Sequence, residues 1–185
     1  MARIKGNLFK TRIEYLYEKV EENKRMEILS MLSDECRKSI QNVLVTNWYP
    51  FSHIVELINA MHKVLSMENP NIIEELGRYS AIKSSKGIYK IFFIILKPKT
   101  ILEKIPAMWV TMMEGGKVML DFKGDRDVIL SLIEFNEELP ELFARSLIGW
   151  TKGLLELAGA KNIQMTAIKM PSKTDNTLVV NAKWD

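Results

Sequence analysis

Hydrophobic positions recur at helical spacing through roughly the first two-thirds of the chain and then switch to alternation. Leu8, Phe9, Ile13, Leu16 and Val20 form the first stripe and predict a helix. The stretch KRMEILSMLSDECRKSI predicts two short helices, with Ser33 as N-cap of the second and Cys36 inside it. Trp48-Tyr49-Pro50 interrupts the period, and Pro50 suits the first turn of the following helix. That helix carries an amphipathic stripe of Ile54, Leu57, Ile58, Met61 and Leu65. Asn69-Pro70 opens another, which runs into IIEELGRYSAIKSSKGIYKIFFIIL with an interruption expected near Ser84–Gly87. Pro98 stops it and opens KTILEKIPAMWVTMME, where Pro106 should bend the helix.

At Gly115-Gly116 the period changes. KVMLDF and DVILSLIEF read as two strands joined by a turn at Gly124-Asp125. ELPELFARSLIGWTKGLLELAG reads as a long helix closed by Gly159. KNIQMTAIKM and TLVVNAKWD read as a second strand pair. In the last strand Leu178, Val180, Ala182 and Trp184 share one face, the signature of a half-buried antiparallel strand. The order helices, then strand–strand–helix–strand–strand, predicts an α+β fold: an N-terminal helical layer on a four-stranded antiparallel sheet, as one domain over residues 1–185.

Composition narrows the partners. The chain has 185 residues, enough for a core without staples. It is 47% hydrophobic and 26% charged, with a net charge of +3, too small to point to nucleic acid. Cys36 is the one cysteine, which excludes an internal disulfide or a thiolate cluster and suits a reducing, cytoplasmic setting. The first twenty residues lack the apolar run of a secretory signal. The longest apolar run, Ile88–Leu96, is too short to span a bilayer and reads as a buried helix. The 11 methionines read as ordinary core filler.

Several short stretches carry a resemblance: KGNLFKTRIEYL, WYP, EELGR, GIYKIF, PAMWVTMMEGG and GWTKGLLELAGAKN, in this order from residue 5 onward. Together they resemble a family of uncharacterised bacterial proteins first described as restricted to the Myxococcales. The last third also resembles the 4-vinyl-reductase-type domains, whose superfamily includes TRAPP vesicle-tethering subunits and haem nitric-oxide-binding-like folds. The resemblance implies an α+β fold with a cavity between helices and sheet, and no activity. Relatives often carry a cysteine in each strand of the terminal hairpin. Those positions are Ile168 and Leu178 here, so the thiolates a zinc or redox site needs are absent.

The fold implied by the resemblance raises haem, which needs an axial ligand. His53 and His62 are the two histidines, on one predicted helix. Nine residues turn about 900°, so they point roughly opposite ways. The Tyr-x-Ser-x-Arg that holds haem propionates in relatives has no match, since RYSAIK around Tyr79 departs from it. No haem and no zinc are therefore expected, and no cofactor. Nor is there a nucleophile elbow or a glycine-rich phosphate loop, so no catalytic residue is assigned.

Two readings stay open. One is a non-enzymatic sensory or regulatory module that binds a small apolar or acyl ligand between helices and sheet. Trp48, Tyr49, Trp109 and Trp150 would line the site and Arg78 would anchor a polar end. The other is an assembly module, a homodimer formed through the helix face of Gly149 and Gly153, with a filled core. Gly149 and Gly153 also suit a close approach by the chain's own sheet. The two readings differ in cavity volume, since a ligand pocket needs about 300 Å³ or more. Lys83, Lys86, Lys90 and Lys97 would share one face of a continuous helix, read as solvated.

Overall fold

In the computed structural model, which describes residues 2–85 and 96–185, the switch from helical to alternating period marks the boundary between two layers. The helical layer begins with a short strand β1 (Arg3–Lys5) and continues with α1 (Gly6–Lys19), α2 (Glu22–Ser30) and α3 (Asp34–Gln41). Strand β2 (Trp48–Pro50), α4 (Phe51–Leu65), α5 (Ile72–Ser84) and α6 (Pro98–Met112) follow. The second layer is β3 (Lys117–Gly124), β4 (Asp127–Ile133), helix α7 (Glu141–Leu157), β5 (Gln164–Lys169) and β6 (Leu178–Lys183). β3 to β6 form one antiparallel sheet in the order β3-β4-β6-β5, so the α+β expectation holds. The run at 88–95, and Lys86 and Lys90 of the lysine face, lie outside the described residues.

Local chemistry explains most of the boundaries. Ser33 caps α3 by accepting a hydrogen bond from the Cys36 amide at 3.2 Å. Pro98 starts α6, where its missing N–H costs nothing. Gly115 and Gly116, both at positive φ, end α6 and turn the chain into β3. Gly159, at φ 84°, closes α7. Trp48-Tyr49-Pro50 does more than break a helical period. It pairs antiparallel with β1, Ile4 opposite Tyr49, and Pro50 precedes α4 rather than opening it. A three-residue edge strand leaves no pattern to read, and proline is tolerated at its end.

The core divides into two apolar clusters. The larger joins α1, α4 and α5 to α7, with Phe9, Leu16, Ile54, Leu57, Ile58 and Leu76 fully buried. The smaller lies between α6, α7 and the sheet, around Ile101, Leu102, Leu130, Trp150, Leu154 and Ala182. Leu178, Val180, Ala182 and Trp184 are all buried, as the alternation in the last strand predicts. Among the described residues no helix is long and apolar enough to cross a membrane.

Candidate functional site

The two clusters meet imperfectly. Where α6 and α7 cross the inner face of the sheet they leave an apolar cleft of about 50 Å³. Ile105 and Trp109 from α6, Leu147 and Trp150 from α7, and Leu130 and Val180 from the sheet form its walls. The side chains that α6, α7 and the sheet turn toward one another leave this space unfilled. The volume is well below the 300 Å³ or so of a drug-sized pocket, so the cleft as it stands does not take an acyl chain. Leu178 lines the cleft, whereas Ile168 points away from the interior and is 58% exposed.

The five residues expected to share a ligand site do not converge. Trp109 and Trp150 both line the cleft. Trp48 lies on β2, with the Lys5 ammonium 4.5 Å and the Arg3 guanidinium 5.9 Å from its ring centre. Tyr49 packs beside Phe9, and its hydroxyl accepts a hydrogen bond from the Leu44 amide at 2.8 Å. Arg78 faces outward from α5 and pairs with Glu156 on α7 at 2.6 Å. Their places at junctions and on apolar faces grouped Trp48 and Tyr49 with the others, but their element is paired to β1, which bridges to Met113 just past the end of α6.

Gly149 and Gly153 have a neighbour, and it is neither the sheet nor a second subunit. It is α5 of the same chain. A Cβ on Gly149 would fall inside the carbonyl oxygen of Glu74, and one on Gly153 would lie 2.8 Å from the Ala81 Cβ. Gly77 reciprocates, with Ser146 and Trp150 backbone atoms over it. The face proposed for a homodimer is thus filled from within, because three glycines let two helices meet backbone to backbone.

Two features escaped the reading of the residues. Arg12 is 1% exposed and forms no ion pair among the described residues. Its guanidinium donates to the Leu8 carbonyl at 3.0 Å and to the Ser146 hydroxyl at 3.2 Å, while Nε has no partner among the described residues. Burial pulls its pKa down to about 10. The signal was present: Leu8, Arg12 and Leu16 fall on one helical face, which puts a charge in the middle of an apolar stripe. The second feature is the indole of Trp150, whose Nε1–H is buried with no acceptor among the described residues, whereas Trp109 donates to the Gly115 carbonyl at 2.9 Å. No sequence pattern reports such a difference between two tryptophans.

Cys36 is fully buried and its thiol is pushed up to about 12, first by burial and then by Glu56. His53 is buried at its edge of α4 with Nδ1 unpartnered among the described residues, and His62 is half-buried a little over two turns away. Neither lines the cleft. Among the described residues no group of three or more His, Cys, Asp or Glu side chains is arranged to hold a metal ion.

No family model matches the chain, and no curated protein matches it in sequence. Solved structures do match in fold. An H-NOX protein from S. oneidensis in the Fe(II) ligation state superposes with a TM-score of 0.74 at 10% identity, covering 98% of this chain and 96% of that one. An Fe(II) unliganded H-NOX mutant from K. algicida gives 0.72 at 12% identity, over 98% and 97% of the two chains. An oxygen-binding H-NOX domain related to soluble guanylate cyclases gives 0.68 at 13% identity, over 98% and 95%. A further neighbour, at 0.69 and 12%, comes from work on haem redox potential and porphyrin distortion.

These neighbours correct the expectation of no cofactor, haem included: the fold is one that holds haem iron in the proteins it resembles. The described residues of this chain do not fit an iron porphyrin as they stand. The cleft of about 50 Å³ is far too small, and its walls offer no imidazole, thiolate or phenol, with the Met165 thioether their one soft donor. The architecture is that of the H-NOX fold, and in this chain the space between α6, α7 and the sheet is a narrow apolar seam.

Proposed function

We propose that the protein is a non-enzymatic sensory module that binds a small ligand in the cleft between α6, α7 and the sheet. The observation that carries this reading is the cleft itself: an unfilled, apolar space at the seam of two clusters, beside an α5–α7 contact that closes to backbone distance. Nature rarely leaves such space in a core, since each lost contact costs stability. The fold adds support, because the H-NOX neighbours include an oxygen complex and a CO-ligated protein from Shewanella woodyi, both of which bind small molecules. The Myxococcales family and the 4-vinyl-reductase and TRAPP likeness remain part of this reading as resemblances of sequence. A cytoplasmic setting belongs to it too, through the single cysteine.

The test is methyl NMR of the protein under xenon, with haemin titrated in a parallel sample. A ligand cleft gives saturable shifts at the methyls of Leu130, Leu178 and Val180 and leaves those of Ile28 and Ile54 in place. Shifts that are uniform and never saturate overturn the reading. A one-to-one Soret band with haemin would mean that the cleft opens to a porphyrin, and the ligand would then be that group.

A further inference from the structure

Building on the reading of the cleft as a ligand site, the geometry points to the class of molecule it takes: a neutral molecule of about two to four heavy atoms bearing one hydrogen-bond acceptor, such as a short aldehyde, ketone or nitrile, held by the indole Nε1–H of Trp150. Size sets the first limit. An apolar cavity of about 150 Å³ holds benzene, so a space of about 50 Å³ admits only something smaller. Lining sets the second. The walls are almost wholly apolar, and the side-chain hydroxyl of Thr151 is already committed to the Leu147 carbonyl at 3.0 Å. Ions are excluded, because a charge without a partner in such surroundings costs many kcal/mol. Water is a poor occupant as well, since a buried water needs two to four polar partners.

The unpaired donor sets the third limit. Trp150 is 6% exposed, it lines the cleft, and its Nε1–H is buried with no acceptor among the described residues. A buried donor left unpaired is costly, and natural cores leave few of them. Trp109, on the facing wall, shows the ordinary solution, a hydrogen bond to a backbone carbonyl. An acceptor on the ligand would give Trp150 the bond that the protein withholds, while the rest of the ligand would replace empty space with contacts. The cleft therefore selects for one acceptor on a small apolar body, and against an isosteric hydrocarbon.

The experiment compares acetonitrile, which carries an acceptor, with xenon, which carries none, on the folded chain and on Trp150→Phe, with thermal melts to verify that the variant folds. Both probes are expected to shift the cleft methyls. Acetonitrile alone should move the Trp150 indole N–H resonance downfield, and Trp150→Phe should weaken acetonitrile about fivefold, the effect of one neutral hydrogen bond, while leaving xenon unchanged. An indole resonance that stays in place while acetonitrile shifts the methyls overturns the inference and leaves the cleft as a ligand site. Equal acetonitrile affinity in Trp150→Phe overturns it in the same way. If neither probe shifts the cleft methyls, the reading of the cleft itself fails.

Discussion

Helix α7 has two sides built to different tolerances. Toward α5 it presents Gly149 and Gly153, and α5 answers with Gly77, so the backbones meet directly at Gly149 and Gly77, and the Ala81 Cβ stands against Gly153. Toward α6 and the sheet it presents Leu147, Trp150 and Thr151, large groups that keep their neighbours away and leave the cleft between them. The first side is a joint and the second is a chamber. A rigid joint next to a chamber means that anything filling the chamber displaces α6 or the sheet more readily than it displaces α5.

Substitutions can break this contrast. The largest effect is expected at the joint. Gly149→Ala puts a methyl into the Glu74 carbonyl and should cost about 3 kcal/mol or more, read from the urea midpoint. A loss within about 0.5 kcal/mol would mean that the helices part easily and the joint is no joint. Next comes Arg12, which lies on α1 and reaches Ser146 of α7. It is a cation buried without a counter-charge among the described residues, so Arg12→Met should stabilise the fold by about 1–3 kcal/mol at neutral pH. The pH dependence has a definite sign. Burial lowers the folded pKa to about 10, so the folded chain releases this proton before the unfolded chain does. Stability of the unsubstituted protein should therefore rise from this group as pH passes about 10, and Arg12→Met should abolish that rise. The smallest effect is expected in the chamber. Val180→Ile adds one methylene beside the void and should gain about 0.5–1 kcal/mol, seen in the same denaturation curves. A loss there would show that the cleft has no slack.

How far these two sides were legible in the sequence differs for physical reasons. The elements could be read, because Leu8, Phe9, Ile13 and Leu16, and later Leu178, Val180 and Ala182, report burial through their period alone. The close approach at Gly149 and Gly153 could be read as well, but not its partner, since a small residue permits contact without naming what makes it. The same holds for the aromatics. Trp109 and Trp150 fell together in the cleft, while Trp48 and Tyr49 went to β2, because a ring's position depends on how elements pack and not on its spacing. Cavity volume is harder still, being a small difference between large filled volumes. The dismissal of haem rested on the opposed placement of His53 and His62 and on the missing Tyr-x-Ser-x-Arg motif, and neither reports the fold that surrounds those residues.

The end of α6 is fastened to the beginning of the chain. Met113 bridges to Ile4, the Glu114 amide donates to the Arg3 carbonyl at 2.9 Å, and the Glu114 carboxylate grips the Arg3 guanidinium through two contacts of 2.6 Å. One turn before Met113 stands Trp109, on the wall of the cleft, its indole hydrogen-bonded to Gly115 just beyond the clasp. Mechanically, α6 is a lever with its load at Trp109 and its linkage at β1. A push on the tryptophan would reach, through this clasp, Arg3, Lys5 and the ring of Trp48 that they cover.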